Sequence, residues 1–125
     1  QVLMTSNLKR YSVGVGVAST SADGSATVIY TCPNNFVADL VFLRYANKSA
    51  SAQLLSLEIY HAEDTEYHYL MYTESVAAYT SGKVIDNDRL VMHPGDKIVA
   101  YADSADKFEI VIGVEESRAQ FTFVS

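Results

Sequence analysis

The sequence DRLVMHPGDKIVAYADSADKFEIVIGVEE, at residues 88–116, decides the fold of this chain. Leu90 and Met92 alternate with Val91 and His93 before the turn Pro94-Gly95-Asp96, and Ile98, Ala100 and Ala102 alternate with Val99 and Tyr101 after it. In the following segment Phe108, Ile110, Ile112 and Val114 share one face. A period of two residues bounded by Pro, Gly and Asp is typical of strands and hairpins. Pro94 fixes its own φ, and Gly95 can adopt a positive φ without a steric penalty. The stretch therefore predicts a hairpin and a further strand at the core of a β protein.

Outside this stretch the same pattern recurs in short segments. We predict strands over residues 9–18, 25–32, 36–46, 52–62, 66–73 and 119–124. Residues 74–79 are expected to form one helical turn, and residues 80–87 a loop with a short strand at 84–85 as an option. No window of about 11 residues has a convincing helical period. Eight or nine short strands at a spacing of about ten residues predict an all-β fold, an antiparallel β-sandwich with jelly-roll connectivity as one option.

Length and composition predict one folded domain. A chain of 125 residues with 49% hydrophobic content can bury a sizeable core, which we assign to residues 9–125. The polar residues 1–8 are expected to form an N-terminal arm or tail. No apolar run approaches the roughly 20 residues that a membrane-spanning helix needs, so we expect no membrane association. A single cysteine, Cys32, excludes an intrachain disulfide and is interpreted as a small buried hydrophobe.

The charge distribution argues against a nucleic-acid partner. The net charge is −6, with no cluster of Lys and Arg to contact phosphates. Residues 1–50 carry four basic and two acidic groups, whereas residues 51–125 carry five basic and thirteen acidic groups. An acidic half beside a mildly basic one favours head-to-tail contact between copies.

The predicted strand at 36–46 is apolar on both faces, with Phe36 and Phe42 on one side and Val37 and Val41 on the other. Such a strand is central in its sheet and covered by protein on both faces. The cover can come from this chain or from a neighbouring copy.

The histidines and acidic loops offer only weak candidates for chemistry. His61 and His68 can approach each other across a hairpin, and with Glu66 they could hold a metal, although half-buried rings are the favoured interpretation. The clusters Asp86-Asn87-Asp88 and Asp103-x-x-Asp106 fit turns that bond their own backbone better than a calcium loop. No nucleophile elbow or phosphate-binding glycine loop is present. We therefore expect no enzymatic activity, no metal and no cofactor.

Nine tyrosines and no tryptophan are the most unusual feature of the composition. Four of them fall within one predicted hairpin, with Tyr67 and Tyr69 on one face and Tyr72 on the other. Tyrosine combines apolar area with a polar tip and is enriched at protein interfaces. Ordinary core or rim packing and ligand stacking remain alternatives. The candidate interface residues are Tyr60, Tyr67, Tyr69, Tyr72, Tyr11 and Tyr45.

The carboxyl-terminal half resembles small accessory proteins of tailed-bacteriophage particles. The resemblance lies in Pro94-Gly95-Asp96 followed by Ile98, in Ala100-Tyr101-Ala102-Asp103 and in Val111-Ile112-Gly113-Val114-Glu115-Glu116, and the strand at 36–47 also fits. It implies a β-sandwich present in symmetric copies on a capsid, neck or tail, as decoration or as a head–tail joint. The implied partners are other virion proteins (capsid, portal or tail) and copies of the chain itself, assembled in the host cytoplasm. No catalytic residue follows from it.

Three functional hypotheses follow from these observations. The first is a non-enzymatic structural component of a phage virion. The second is a carbohydrate-binding sandwich for adhesion or receptor recognition, with calcium as an option. The third is an enzyme built around His61, His68 and Glu66, for which the sequence gives the least support.

Overall fold

The structure, a computed structural model, describes residues 6–22 and 25–118. The described chain forms eight strands: β1 (Ser6–Gly14), β2 (Thr27–Thr31), β3 (Phe36–Asn47), β4 (Gln53–His61), β5 (Glu66–Val76), β6 (Ser81–Met92), β7 (Lys97–Ala102) and β8 (Phe108–Arg118). The predicted all-β fold is confirmed, whereas the strand predicted at 119–124 lies outside the described residues. Nothing in the described ranges forms a helix long and apolar enough to cross a membrane.

The strands form two antiparallel sheets of four. The first sheet has the order β1-β8-β3-β6 and the second the order β2-β7-β4-β5. Successive strands pass from one sheet to the other, except at the β4–β5 hairpin. This arrangement of eight strands in two packed sheets is the jelly roll, so the predicted sandwich has jelly-roll connectivity.

Residues 88–116 supply one inner strand to each sheet. β7 pairs with β2 and β4, and β8 pairs with β1 and β3. Ile98 and Ala100 of β7 and Ile110 and Ile112 of β8 are completely buried between the sheets. Burial of this apolar surface is the main stabilising term, at about 25 cal/mol per Å². These two strands are therefore the centre of the core. The hairpin predicted across Pro94-Gly95-Asp96 is wrong, because β6 belongs to the first sheet and β7 to the second, so the turn connects the two sheets.

Two segments differ from the sequence prediction. The helical turn predicted at 74–79 is wrong, because β5 continues to Val76, which pairs with Gln53 of β4. The loop predicted at 80–87 is also wrong, because these residues form most of β6. Its pairing with β3 shifts register twice, and Arg89 has a φ of 57°. Such bulges break the alternation on which a strand prediction depends. β1 begins at Ser6 and so includes part of the predicted arm, whose first five residues lie outside the described ranges.

One buried carboxylate connects the turns at one end of the sandwich. Asp96, only 5% exposed, accepts hydrogen bonds from the backbone N–H of Ala62 at 2.9 Å and of His93 at 2.9 Å. Its own backbone carbonyl accepts from the Cys32 N–H at 2.8 Å, and the Cys32 carbonyl accepts from the Gly95 N–H at 3.0 Å. The turns β2–β3, β4–β5 and β6–β7 are thereby joined, and Gly95 has the positive φ, 88°, that the turn requires.

At the opposite end, the buried amide of Asn47 has the corresponding role. Its Nδ2 donates to the carbonyls of Ser51, Val76 and Ala77 at 2.9, 3.0 and 3.3 Å. Its Oδ1 accepts from the Ser49 N–H at 2.9 Å and from the Ser49 hydroxyl at 2.7 Å. The β3–β4 and β5–β6 turns are thus held by one side chain.

A third polar group lies between the two sheets where β1 faces β2. Glu116, 2% exposed, accepts a short hydrogen bond from the Tyr30 hydroxyl and pairs with the Lys9 ammonium at 2.9 Å. Burial, together with this carboxylate, raises the pKa of Tyr30, and the hydrogen bond to Glu116 raises the pKa of Lys9. Nearby Cys32 is buried as predicted, and burial raises its pKa to about 11. Among the side chains that the structure describes, in residues 8–22, 25–86 and 89–118, no buried nitrogen or oxygen lacks a hydrogen-bond partner.

Candidate functional site

The outer surface of the second sheet carries an aromatic layer, which we call the tyrosine face. It consists of Tyr60 on β4, Tyr101 on β7, and Tyr67, Tyr69 and Tyr72 on β5. Tyr69 and Tyr72 are each 61% exposed. Exposed rings of this size are the side chains that most often anchor protein interfaces. The tyrosine face is therefore the candidate site.

Strand register places these rings in lateral rows. Tyr60 lies opposite Tyr67 on one side and Lys97 on the other, and Glu58 lies opposite Tyr69. The rings of Tyr60 and Tyr67 are 4.8 Å apart between centroids, tilted by 50°, and the Lys97 ammonium lies 5.3 Å from the Tyr60 ring. Tilted pairs at this distance are favourable beyond the area that they bury, and so is a cation over a ring.

Tyr72 lies on the same face as Tyr69, so the prediction that it faces the other way is wrong. The two rings are 4.6 Å apart between centroids and tilted by 53°. The cause is a bulge in β5, where Met71 opposes Leu57 but Tyr69 opposes Glu58. The extra residue, Leu70, packs with Met71 against the core, which returns Tyr72 to the outer surface.

A rigid polar layer lies beneath the exposed rings. Glu58 is 5% exposed, and its Oε2 accepts a hydrogen bond of 2.6 Å from the Tyr101 hydroxyl. Burial raises the pKa of Tyr101, and the bond to Glu58 adds to this effect. Val99 is also buried on this side of the sheet. The tyrosine face is therefore a fixed platform, on which only Tyr69 and Tyr72 project well into solvent.

The structure brings together four of the six predicted interface residues and separates the other two. Tyr11 packs against the core with its ring 5.5 Å from that of Tyr30, between the sheets. Tyr45 also packs against the core, in the space left by the missing side chain of Gly82. Tyr101 belongs to the face but was not predicted. The alternation of Lys97, Val99 and Tyr101 along β7 is the signal that could have identified it.

The outer surface of the first sheet carries a smaller apolar area with basic residues around it, here called the Phe42 patch. It consists of Leu8, Arg10, Val41, Phe42 and Arg44. Arg10 and Phe42 both lie opposite Gly113, and the Phe42 ring occupies the space where a Cβ at Gly113 would lie. A cavity of about 170 Å³ lies between Leu8, Arg10 and Phe42, and Leu8 is 76% exposed. In the rest of this surface, Arg89 bonds Asp39 at 2.7 Å and Glu115 at 3.0 Å.

The histidines of the β4–β5 hairpin lie together, as the sequence allowed. The rings of His61 and His68 are 4.6 Å apart between centroids. The carboxylate near them is that of Asp64 in the turn and not that of Glu66. The possible metal ligands are therefore His61, Asp64 and His68, instead of the predicted His61, His68 and Glu66. His93 lies across a cleft of about 410 Å³ that His61 and Asp64 also line. This donor set could hold a metal ion.

Comparison with known proteins gives only distant structural likenesses. No protein-family model and no curated protein matches the sequence. A chain of the Bacillus endospore appendages, described as disulfide-linked pili, is 12% identical with a TM-score of 0.49, over 93% of this chain and 90% of that one. A chain of the T13 IBDV viral particle is 9% identical with a TM-score of 0.46, over 93% of this chain and 36% of that one. A pentameric capsid protein from metagenomic phage sequences is 18% identical with a TM-score of 0.41, over 89% of this chain and 61% of that one. At such values these likenesses do not bear on function.

Proposed function

We propose that this chain is a non-enzymatic structural component of a tailed-phage virion. It assembles in symmetric copies in the host cytoplasm and docks on the capsid or the head–tail region. The observation that carries the proposal is the tyrosine face, with two large exposed rings fixed on a rigid sheet. The sequence resemblance to accessory proteins of phage particles supports the same assignment.

The arrangement of the tyrosine face favours a protein partner. Aromatic rings bury a large area at a low cost in conformational entropy, because each has only two side-chain torsions. Here the cost is smaller still, because Tyr69 and Tyr72 pack on each other and Glu58 and Tyr101 fix the layer beneath. Preorganised anchors of this kind add affinity mainly by reducing the ordering that binding requires.

The Phe42 patch is the surface of a second copy that complements the tyrosine face best. Guanidinium groups stack on aromatic faces, and Arg10 and Arg44 flank the half-buried Phe42 ring. The two surfaces lie on opposite sheets, so the contact is head to tail. Contacts of this type close into rings when the rotation between copies permits it, which gives the symmetric copies of the proposal.

Self-association of the purified chain tests the proposal. Sedimentation velocity over a range of concentrations should detect an oligomer of the wild-type chain. In the double variant Tyr69→Ser, Tyr72→Ser the association constant should fall by at least about 30-fold, as expected for the loss of a hot spot of roughly 2 kcal/mol. Tyr79→Ser is the matched control, because Tyr79 is 72% exposed but lies in the β5–β6 turn, away from the face. The double variant Arg10→Glu, Arg44→Glu should weaken association as well.

The docking step needs a separate measurement. In particles purified from a culture in which this chain is expressed, its peptides should sediment with the particles and be lost from the double tyrosine variant. A chain that stays monomeric at every concentration and never sediments with particles would overturn the proposal.

Carbohydrate binding is the alternative use of the same rings. Tyr72 and Tyr101 line a cavity with Ser19, Thr20 and Asp103, but its volume is only about 90 Å³. Pockets that enclose small molecules usually measure about 300–1,000 Å³, so the size of this cavity favours the protein partner. A glycan array probed with and without a chelator distinguishes the two. Specific binding that the double tyrosine variant loses, without any self-association, would favour the carbohydrate function.

A further inference from the structure

The end of the β4–β5 hairpin gathers three side chains that commonly bind metals. His61, Asp64 and His68 each offer one ligand atom, and these atoms all lie within 4.8 Å of one another. His61 is half-buried, while Asp64 and His68 are exposed. The cluster lies on the opposite face of the hairpin from the tyrosine face, so it is a separate feature of the molecule.

Strand register, and not chance contact of mobile side chains, brings the two imidazoles together. Ile59 pairs with His68, and His61 pairs with Glu66. His61 and His68 are therefore diagonal neighbours on one face of an antiparallel hairpin, a relation in which long side chains can reach each other. The distance of 4.6 Å between ring centroids results from this relation.

Asp64 is oriented as a ligand with one oxygen committed and one available. Its Oδ1 accepts the Glu66 N–H at 3.0 Å across the turn, where Thr65 has a φ of 54°. Its Oδ2 lies 3.8 Å from Nε2 of His68. A carboxylate held in this way presents a single oxygen toward the two imidazoles.

The backbone beneath the cluster is fixed, and the space in front of it is open. Asp96 holds the N–H of Ala62, the residue after His61, at 2.9 Å. The cleft of about 410 Å³ in front of His61 and Asp64 extends to Glu63 and His93. A bound ion would therefore keep coordination positions for water or an external ligand.

We propose that His61, Asp64 and His68 bind a divalent first-row transition metal, with Zn²⁺ as the best match. Two imidazole nitrogens and one carboxylate oxygen form a common zinc ligand set, with bonds of about 2.0–2.2 Å. Tetrahedral ligands at these distances are about 3.3–3.6 Å apart. Ligand atoms that now lie up to 4.8 Å apart must therefore approach by up to about 1.5 Å, which rotation of exposed side chains permits. Calcium and magnesium prefer oxygen ligands and should not compete.

Calorimetric titration of the untagged full chain with Zn²⁺ tests the site. We expect saturable binding, at least about tenfold weaker in each of His61→Ala, His68→Ala and Asp64→Asn. His93→Ala is the matched control, because His93 lines the same cleft but lies outside the cluster, and it should bind as the wild type does. Mg²⁺ and Ca²⁺ should produce no saturable heat.

Imidazole NMR signals locate the ion independently of affinity. The chain has three histidines, so the signals can be assigned from single variants. Zn²⁺ should shift those of His61 and His68 and leave that of His93 unchanged. Absence of saturable Zn²⁺ binding, equal affinity in His61→Ala and the wild type, or a shift at His93 alone would each overturn the proposal.

Discussion

Replacing Asp96 by Asn tests how the turns at one end of the sandwich are held together. The carboxylate accepts two backbone hydrogen bonds of 2.9 Å, from Ala62 and His93, while only 5% exposed. An amide of the same shape can accept one of them, and its NH₂ group then opposes the other N–H. Hydrogen bonds to a charged group contribute about 1.5–3 kcal/mol each, so we expect a loss of about 2–4 kcal/mol. The free energy of unfolding of a domain is about 5–15 kcal/mol, so this loss would be a large fraction of it.

Urea unfolding, followed by tyrosine fluorescence and far-UV circular dichroism, measures this loss. With an m-value of about 1–3 kcal/mol/M, the midpoint should fall by roughly 1–2 M and the m-value should stay constant. Asp103→Asn is the control, because Asp103 is exposed in the β7–β8 turn at the other end of the sandwich. It should change stability by less than about 0.5 kcal/mol. An equally small change for Asp96→Asn would refute the role assigned to this carboxylate.

Four further predictions concern other buried groups. Cys32, with a pKa raised to about 11, should react with iodoacetamide at pH 8 roughly a hundredfold more slowly in the folded than in the unfolded chain; equal rates would contradict its burial. Because the folded pKa lies above the unfolded value of 9.0, stability from this thiol should be complete below about pH 9 and be lost as the pH rises through about 11, a trend that urea midpoints at several pH values would detect. Tyr30→Phe removes the hydroxyl that donates to the buried Glu116 carboxylate, and it should lower the free energy of unfolding in urea by about 1.5–3 kcal/mol. Lys9→Met should lower it by less, because the Lys9 side chain is half-exposed, and the reverse order would contradict the arrangement. Asn47→Ala loses five hydrogen bonds and should cost roughly 2–4 kcal/mol, and it should also raise backbone amide exchange in the β3–β4 and β5–β6 turns, which would stay unchanged if other contacts held them.

Strands that keep a strict alternation were predictable, and bulged strands were not. β7 and β8 contain no bulge, so the residues that face the core, at every second position, could be identified from the sequence. β6 has the sequence pattern of a loop, because it contains extra residues near Arg89 and the polar run Asp86-Asn87-Asp88. The pairing of β1 with β8 joins residues 95 to 111 positions apart, from Gly14↔Glu109 to Ser6↔Ser117, and no local pattern carries that information. The jelly-roll connectivity could therefore be stated from the sequence only as an option.

The candidate site was predictable in composition but not in arrangement. The concentration of tyrosines in one hairpin identified the residues, and the direct pairing of Tyr60 with Tyr67 follows from hairpin register. The bulge at Leu70 moved Tyr72 to the other side, which an assumed period of two could not reproduce. Likewise Asp64, and not Glu66, joins the histidines, because the turn folds its carboxylate back toward the strands.

The bulges also hinder copies of this chain from pairing edge to edge through their sheets. A sheet ends in a strand with unpaired backbone groups, which invites a straight strand from another molecule to extend it. In this sandwich β5 and β6 carry bulges, and β2 is five residues long with a register shift of its own. The fourth edge strand, β1, carries the charged residues Lys9 and Arg10, and charges on an edge strand disfavour pairing with a strand of another molecule. Extension of either sheet by a strand of another copy is thereby disfavoured, so the proposed association would have to use the broad surfaces of the two sheets.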